Sequence, residues 1–272
     1  MSKKKKEEQK KFQQQRKKNI FPIVGIGASA GGLEAIKSLL QALPQNTGLA
    51  FVIVQHLAAS QESMLPEILS RFTKMPVEKV LSGMQVEPNH VYVIPAGKIM
   101  TISSGILKLQ PKGVSFKPID EFLRSLATSR KTQAIGIVLS GTGTDGTEGL
   151  KFIKAESGIT FVQDPNSAQY PDMPKSAIAA ETAYFSLPPE KIAKELAGIA
   201  KHPEIIHQEI EAAEPKEHYG TDTQTIFTLL KASFGVNFEH YKKSTTNRRI
   251  TRRMVLNKIE NRRKFTLVSL EN

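Results

Sequence analysis

Residues Phe21-Pro22-Ile23-Val24-Gly25-Ile26-Gly27-Ala28 form an apolar run that ends abruptly in Ser29-Ala30-Gly31-Gly32. A strand that feeds a helix through so short a turn bends sharply. Only glycine and alanine leave room for that backbone while the single hydroxyl, on Ser29, projects outward. Gly27-Ala28-Ser29-Ala30-Gly31 fits the Gly-x-Ser-x-Gly pattern of a nucleophile elbow. Gly25, Gly27 and Ala30 also fit the Gly-x-Gly-x-x-Gly/Ala fingerprint of a dinucleotide site, where a helix N-terminus holds a pyrophosphate. The turn alone leaves both readings open.

From Phe21 to about Ala200, short apolar runs alternate with helical periodicity. Strands are expected near Ile23, Val52 and residues 159–162, and helices over 33–40, 64–72 and from Pro118 onward. That alternation predicts an α/β fold: a doubly wound, mainly parallel sheet with helices on both faces. Between about Val77 and Leu109 the texture changes to Val- and Ile-rich segments broken by Pro88, Pro95, Gly97 and Gly105. This stretch predicts hairpin strands added to the sheet or lying over it. The polar residues 164–172 place Asp164 and Asp172 in turns, and Met173-Pro174 opens another helix.

A nucleophilic serine needs a base and a group that orients the base. Two apolar runs end in suitable residues: 50–54 in Gln55-His56, and 134–139 in Ser140-Gly141-Thr142-Gly143-Thr144-Asp145-Gly146. In an open parallel sheet the crevice outside the carboxyl ends of the strands is the usual site, so Ser29, His56 and Asp145 are expected to converge there. Taken singly, each has a bland reading as a turn serine, a strand-end histidine or a turn aspartate. A nucleotide-dependent oxidoreductase expects an acid at the end of the second strand, where Gln55-His56 stands. A general α/β-hydrolase carries its acid before its histidine, the reverse of the order here.

The same motifs resemble the chemotaxis receptor methylesterase family, the CheB catalytic domain. The likeness lies in Gly27-Ala28-Ser29-Ala30-Gly31-Gly32, Val54-Gln55-His56 and the Leu139 to Gly146 loop. It extends to Val91-Tyr92-Val93-Ile94-Pro95-Ala96-Gly97 and Met173-Pro174-Lys175-Ser176-Ala177, covering residues 21 to about 200. The resemblance implies a Ser29, His56, Asp145 triad that hydrolyses glutamate γ-methyl esters on the cytoplasmic helices of chemoreceptors and deamidates certain glutamines. It needs no cofactor and no metal. Ala30, Gly141, Thr142 and Gly143 are the expected oxyanion and substrate loop, through main-chain N–H groups. Many members have threonine at the position of Ala30 and methionine at that of Thr142. Members often carry a receiver domain ahead of the catalytic one, for which twenty residues leave no room, so a separate regulator is expected.

The net charge of +12 is uneven: Lys and Arg outnumber Asp and Glu nine to two in residues 1–18 and eleven to four in residues 221–272. Residues 1–20 are expected to be a basic disordered tail, 21–203 the methylesterase-type domain, and 204–221 a polar linker. Residues 222–272 resemble the start of the receptor methyltransferase, the CheR N-terminal helical domain, as in CheB–CheR fusions, and predict a short all-α segment. These residues show no glycine-rich S-adenosylmethionine unit, so methyl transfer by them is not expected. There Arg248, Arg249, Arg252 and Arg253 make basic ridges at i, i+4 spacing, which the resemblance assigns to an acidic receptor helix. His90, His202, His207, His218 and His240 are read as structural or exposed. The catalytic region carries none of the positive excess, so no nucleic-acid partner is expected. With no cysteine, no long apolar span and no apolar leader, a cytoplasmic protein is expected. The non-enzymatic alternative is an adaptor that binds receptors through its basic ends.

Overall fold

The computed structural model describes residues 21–55, 64–111 and 117–200. The tail 1–20, His56, the linker, and the C-terminal segment with Arg248, Arg249, Arg252 and Arg253 lie outside the described residues, as do His202, His207, His218 and His240.

Strand β1 (Ile23–Ala28) is buried along its whole length. It lies in parallel register between β2 (Ala50–Gln55) and β7 (Ala134–Val138), with Ala28 level with Gln55 and Gly27 level with Val138. Burial on both faces is why these strands read as continuous apolar runs and not as an alternating pattern. The remaining strands of the sheet are β3 (Val77–Lys79), β4 (Val91–Val93), β8 (Ile159–Gln163) and β9 (Phe185–Leu187). Their order is β3-β4-β2-β1-β7-β8-β9, with every neighbouring pair parallel.

The chain winds outward from the β1–β7 pair in both directions. Right-handed crossovers on the two sides therefore place helices on opposite faces and open a crevice beyond the carboxyl ends of β1 and β7. Helix α1 (Gly32–Ala42), which follows β1, packs with α6 (Pro189–Ala200). On the other face α3 (Pro118–Arg130) packs with α4 (Thr147–Ala155), and α4 touches α5 (Asp172–Ala179). Ile119, Phe122, Leu123 and Leu126 of α3 join Leu150 and Ile153 of α4 and Val52, Val54 and Val138 of the sheet in one core. The doubly wound α/β expectation holds for the described residues.

Three local expectations change. The helix expected over 64–72 is a five-residue α2 (Leu65–Leu69) followed by a 3-10 turn, Ser70–Phe72. There the Ser70 hydroxyl donates to the Glu67 carbonyl at 2.8 Å and competes with helical bonding. The stretch 77–109 is a hairpin only in its second half, where β5 (Lys98–Ser103) and β6 (Ile106–Pro111) pair antiparallel as a separate two-stranded sheet. Its two-residue turn, Ser104-Gly105, has φ of 52° and 81°, the arrangement that suits right-twisted strands. β3 and β4 are instead parallel members of the main sheet, and strands of three residues carry too little pattern to reveal that. Asp172 opens α5 and is not a turn residue, its charge lying at the helix N-terminus, whereas Asp164 caps a turn as expected, accepting from the Asn166 N–H at 3.0 Å.

Candidate active site

Ser29 is the first residue after β1, where the chain reverses into α1. Its N–H donates to the Ser140 carbonyl at 3.0 Å, and its carbonyl accepts from the Gly32 N–H at 2.9 Å. Gly31 completes the turn at φ 69°, a left-handed conformation that a β-carbon would strain. A β-carbon there would also come within 2.8 Å of Gln169 and of the Ser140 hydroxyl. The other glycines of the motif answer to packing. A β-carbon on Gly27 would overlap Ile119 Cγ2, and one on Gly25 would lie 2.7 Å from Leu123 Cδ2. The Gly25-x-Gly27 pattern thus lets α3 press onto β1, and needs no pyrophosphate to explain it.

The loop after β7 lies beside this turn. Gly141 has space for no side chain: a β-carbon would overlap Met173 Sδ and stand 2.9 Å from Ser29 Cβ. Its N–H is committed to the Tyr170 carbonyl at 2.9 Å, and its carbonyl accepts from the Met173 N–H at 3.0 Å. Ser29 and the loop 141–146 therefore share one edge of the sheet, as expected from the strand ends. β2 reaches that edge at Gln55, and His56, the expected base, lies outside the described residues.

Asp145 is buried, at 5% exposure. Its carboxylate accepts three main-chain N–H groups, from Ile119 at 3.1 Å, Asp120 at 2.9 Å and its own neighbour Gly146 at 2.9 Å. The first turn of α3 begins with Pro118, which has no N–H, so Asp145 satisfies the first two unpaired donors of that helix.

Asp120, which the sequence reading did not single out, is buried beside it. Its Oδ1 accepts from the Gly149 N–H in the first turn of α4 at 2.7 Å, and Lys117 Nζ is 3.7 Å from Oδ2. Burial raises the Asp120 carboxyl above the ordinary aspartate range, and the negative Asp145 adds to the rise. Ser140 was also passed over, although it is wholly buried and bonded through its N–H, carbonyl and hydroxyl. Gln163, at the end of β8, holds its N–H. The signal for Gln163 was a polar residue ending an apolar strand on the same edge. Among the described residues no group of three His, Asp or Glu side chains could hold a metal, and no helix is long and apolar enough to cross a membrane.

The family model described as CheB methylesterase matches residues 24–196, and that described as CheR methyltransferase, all-alpha domain, matches residues 221–265. The chain is 34% identical over 215 residues to an uncharacterized 104.1 kDa protein of Rhodobacter capsulatus, covering 70% of this chain and 22% of that one. It is 33% identical over 184 residues to protein-glutamate methylesterase/protein-glutamine glutaminase 1 of Syntrophus aciditrophicus, covering 66% and 53%. To a putative protein of the same description from Leptospira interrogans it is 34% identical over 180 residues, covering 63% and 91%. The chain thus spans 22% of the first of these relatives and 53% of the second. The crystal structure of the Thermotoga maritima CheB methylesterase catalytic domain superposes with a TM-score of 0.62 at 28% identity, covering 66% of this chain and 98% of that one.

Proposed function

Because this chain belongs to the CheB methylesterase family, we propose that it is a serine esterase that hydrolyses glutamate γ-methyl esters, and deamidates glutamines, on chemoreceptor helices. The observation that carries this reading is the seat of Ser29 at the β1 terminus, against Gly141 of the loop that delivers the buried Asp145. Ser29 Oγ attacks the γ-carbonyl, His56 takes the serine proton and returns it to the leaving methoxide, and Asp145 orients the imidazole. Water activated by His56 then releases the glutamate. For a glutamine the leaving group is ammonia.

The N–H groups of Ser29, Gly32 and Gly141 are committed to carbonyls. Those of Ala30, Thr142 and Gly143 are therefore the proposed oxyanion donors, with Gly141 serving close approach. Main-chain donors leave the chemistry intact with alanine at position 30 and threonine at position 142.

The receptor-binding role of Arg248, Arg249, Arg252 and Arg253 and a cytoplasmic location belong to the same proposal. The match of residues 221–265 to the CheR all-alpha domain supports the first of these. The deciding experiment is methanol release from methylated receptor by the intact chain beside Ser29→Ala. The variant is expected to lose activity by roughly 10³-fold or more while keeping its fold. Equal turnover by the two would leave the adaptor reading.

A further inference from the structure

Ser140 is wholly buried, yet each of its polar groups is bonded, and two of those bonds run to the nucleophile turn. Its carbonyl accepts the Ser29 N–H at 3.0 Å, and its hydroxyl donates to the Ala30 carbonyl at 2.8 Å. The hydroxyl oxygen accepts the Tyr170 N–H at 2.9 Å. Behind it, the Ser140 N–H donates to Gln163 Oε1 at 2.8 Å, and Gln163 Nε2 donates to the Ser167 carbonyl at 2.9 Å. Three loops that share no secondary structure, after β1, after β7 and after β8, thus meet on one side chain.

We propose that the Ser140 hydroxyl is a positioning group for the nucleophile, locking the Ser29–Ala30–Gly31 turn to the aspartate loop and to Tyr170; this rests on the esterase reading of Ser29. A trans peptide points its carbonyl and the following N–H in opposite directions. Holding the Ala30 carbonyl therefore fixes the direction of the Gly31 N–H as well as the path of the turn. The hydroxyl has one proton, which is directed to the Ala30 carbonyl at 2.8 Å over the more distant Tyr170 carbonyl at 3.4 Å, while its oxygen accepts from the Tyr170 N–H. An alanine at 140 would keep the main-chain bond to Ser29 and leave the Ala30 carbonyl and the Tyr170 N–H without their partner. The turn would then sample orientations that the reaction does not use.

The test is the inactivation of the full chain by an alkyl fluorophosphonate: the oxygen of an activated serine bonds to phosphorus through a five-coordinate transition state, fluoride leaves, and the base takes the serine proton, giving a tetrahedral phosphonyl adduct. Saturation kinetics separate the binding constant KI from the covalent rate kinact. Ser140→Ala is expected to lower kinact by ~10–100-fold, the scale of a misplaced reacting group, with KI within about threefold of wild type. Ser140→Thr, which keeps the hydroxyl, is expected to recover most of the rate. Ser140→Cys keeps the volume with a weak donor, and is expected to fall between them. It also carries the test if the alanine variant does not fold. Wild-type kinact in a folded Ala or Cys variant overturns this inference alone. A wild-type chain in which Ser29 is not labelled at all overturns the esterase reading, and this inference with it.

Discussion

The carboxylate of Asp145 accepts the main-chain N–H of Asp120 at 2.9 Å, and the carboxylate of Asp120 in turn accepts that of Gly149 at 2.7 Å. Each acid, sited beside or within the first turn of one helix, closes the first turn of the other. Asp145 thereby fixes α3 at the edge where Ser29 sits. Asp145→Ala strips the Ile119, Asp120 and Gly146 donors of their acceptor and is expected to destabilise the fold by about 2–4 kcal/mol. Asp145→Asn keeps one acceptor oxygen and is expected to lose about half as much. Urea denaturation of the two variants beside wild type measures this. Equal midpoints for all three would show that the carboxylate is not a structural cap.

Asp120 gives a pH dependence. Its folded carboxyl titrates above the ordinary value, chiefly through burial, so ionising it costs more in the folded than in the unfolded chain. The stability that this group contributes is full below the unfolded value of 3.8 and is lost as pH rises through the higher folded value. Asp120→Asn keeps the acceptor for Gly149 and removes the titration. Stability of Asp120→Asn relative to wild type is therefore expected to improve as pH rises from below 3.8 through the acid range. A difference that stays flat, or that runs the other way, would remove the assignment.

The parallel sheet and the shared edge of Ser29 and the 141–146 loop were legible because apolar runs that end in small or polar residues mark buried strands and their carboxyl ends. Asp145 stood out through its loop motif. Asp120 did not, because an acid in the first turn of a helix is ordinary, and only the three-dimensional crossing of α3 and α4 brings it to Asp145. Ser140 was hidden for a different reason. A serine next to glycine reads as a turn residue, and its partners Ala30, Gln163 and Tyr170 are distant in sequence. The glycines of β1 fit two motifs when taken alone; Gln55-His56 at the end of the second strand spoke against the nucleotide site, and the α3 side chains that fill the glycine faces give those glycines a packing role.

That packing makes Gly27 a stability position. A β-carbon there would overlap Ile119 Cγ2, so Gly27→Ala is expected to cost about 1–3 kcal/mol by overpacking. Ile119→Leu moves the branch away from that contact, and the double variant is expected to recover part of the loss. Thermal melts of the four proteins in the cycle report the coupling. Additive losses would mean that the two residues do not compete for the same space.

The C-terminal segment is expected to act on binding and not on chemistry. The excess of Lys and Arg over residues 221–272 suits an acidic receptor surface, whose attraction would be screened by salt. Deleting these residues is expected to leave turnover of a small ester unchanged, while weakening receptor binding most at low ionic strength. Binding measured across a salt series, beside small-ester kinetics, checks both halves. Loss of small-ester turnover in a folded deletion variant would make the two parts one catalytic unit.

Gly141 couples the aspartate loop to the nucleophile by its lack of a side chain. A β-carbon would overlap Met173 Sδ on one side and crowd Ser29 Cβ at 2.9 Å on the other. The two neighbours differ in how readily they yield, since methionine is flexible and fills irregular space, whereas the Ser29 backbone is bonded to Ser140 and Gly32. Gly141→Ala is therefore expected to push Met173 aside at a stability cost of about 1–3 kcal/mol. The residual crowding at Ser29 is expected to lower kcat by ~10-fold or more with little change in KM. Adding Met173→Ala should relieve the first effect and leave the second, because only the serine contact bears on the reacting oxygen. Kinetics and melts of the single and double variants separate the two, and recovery of kcat together with stability would place the whole effect in packing.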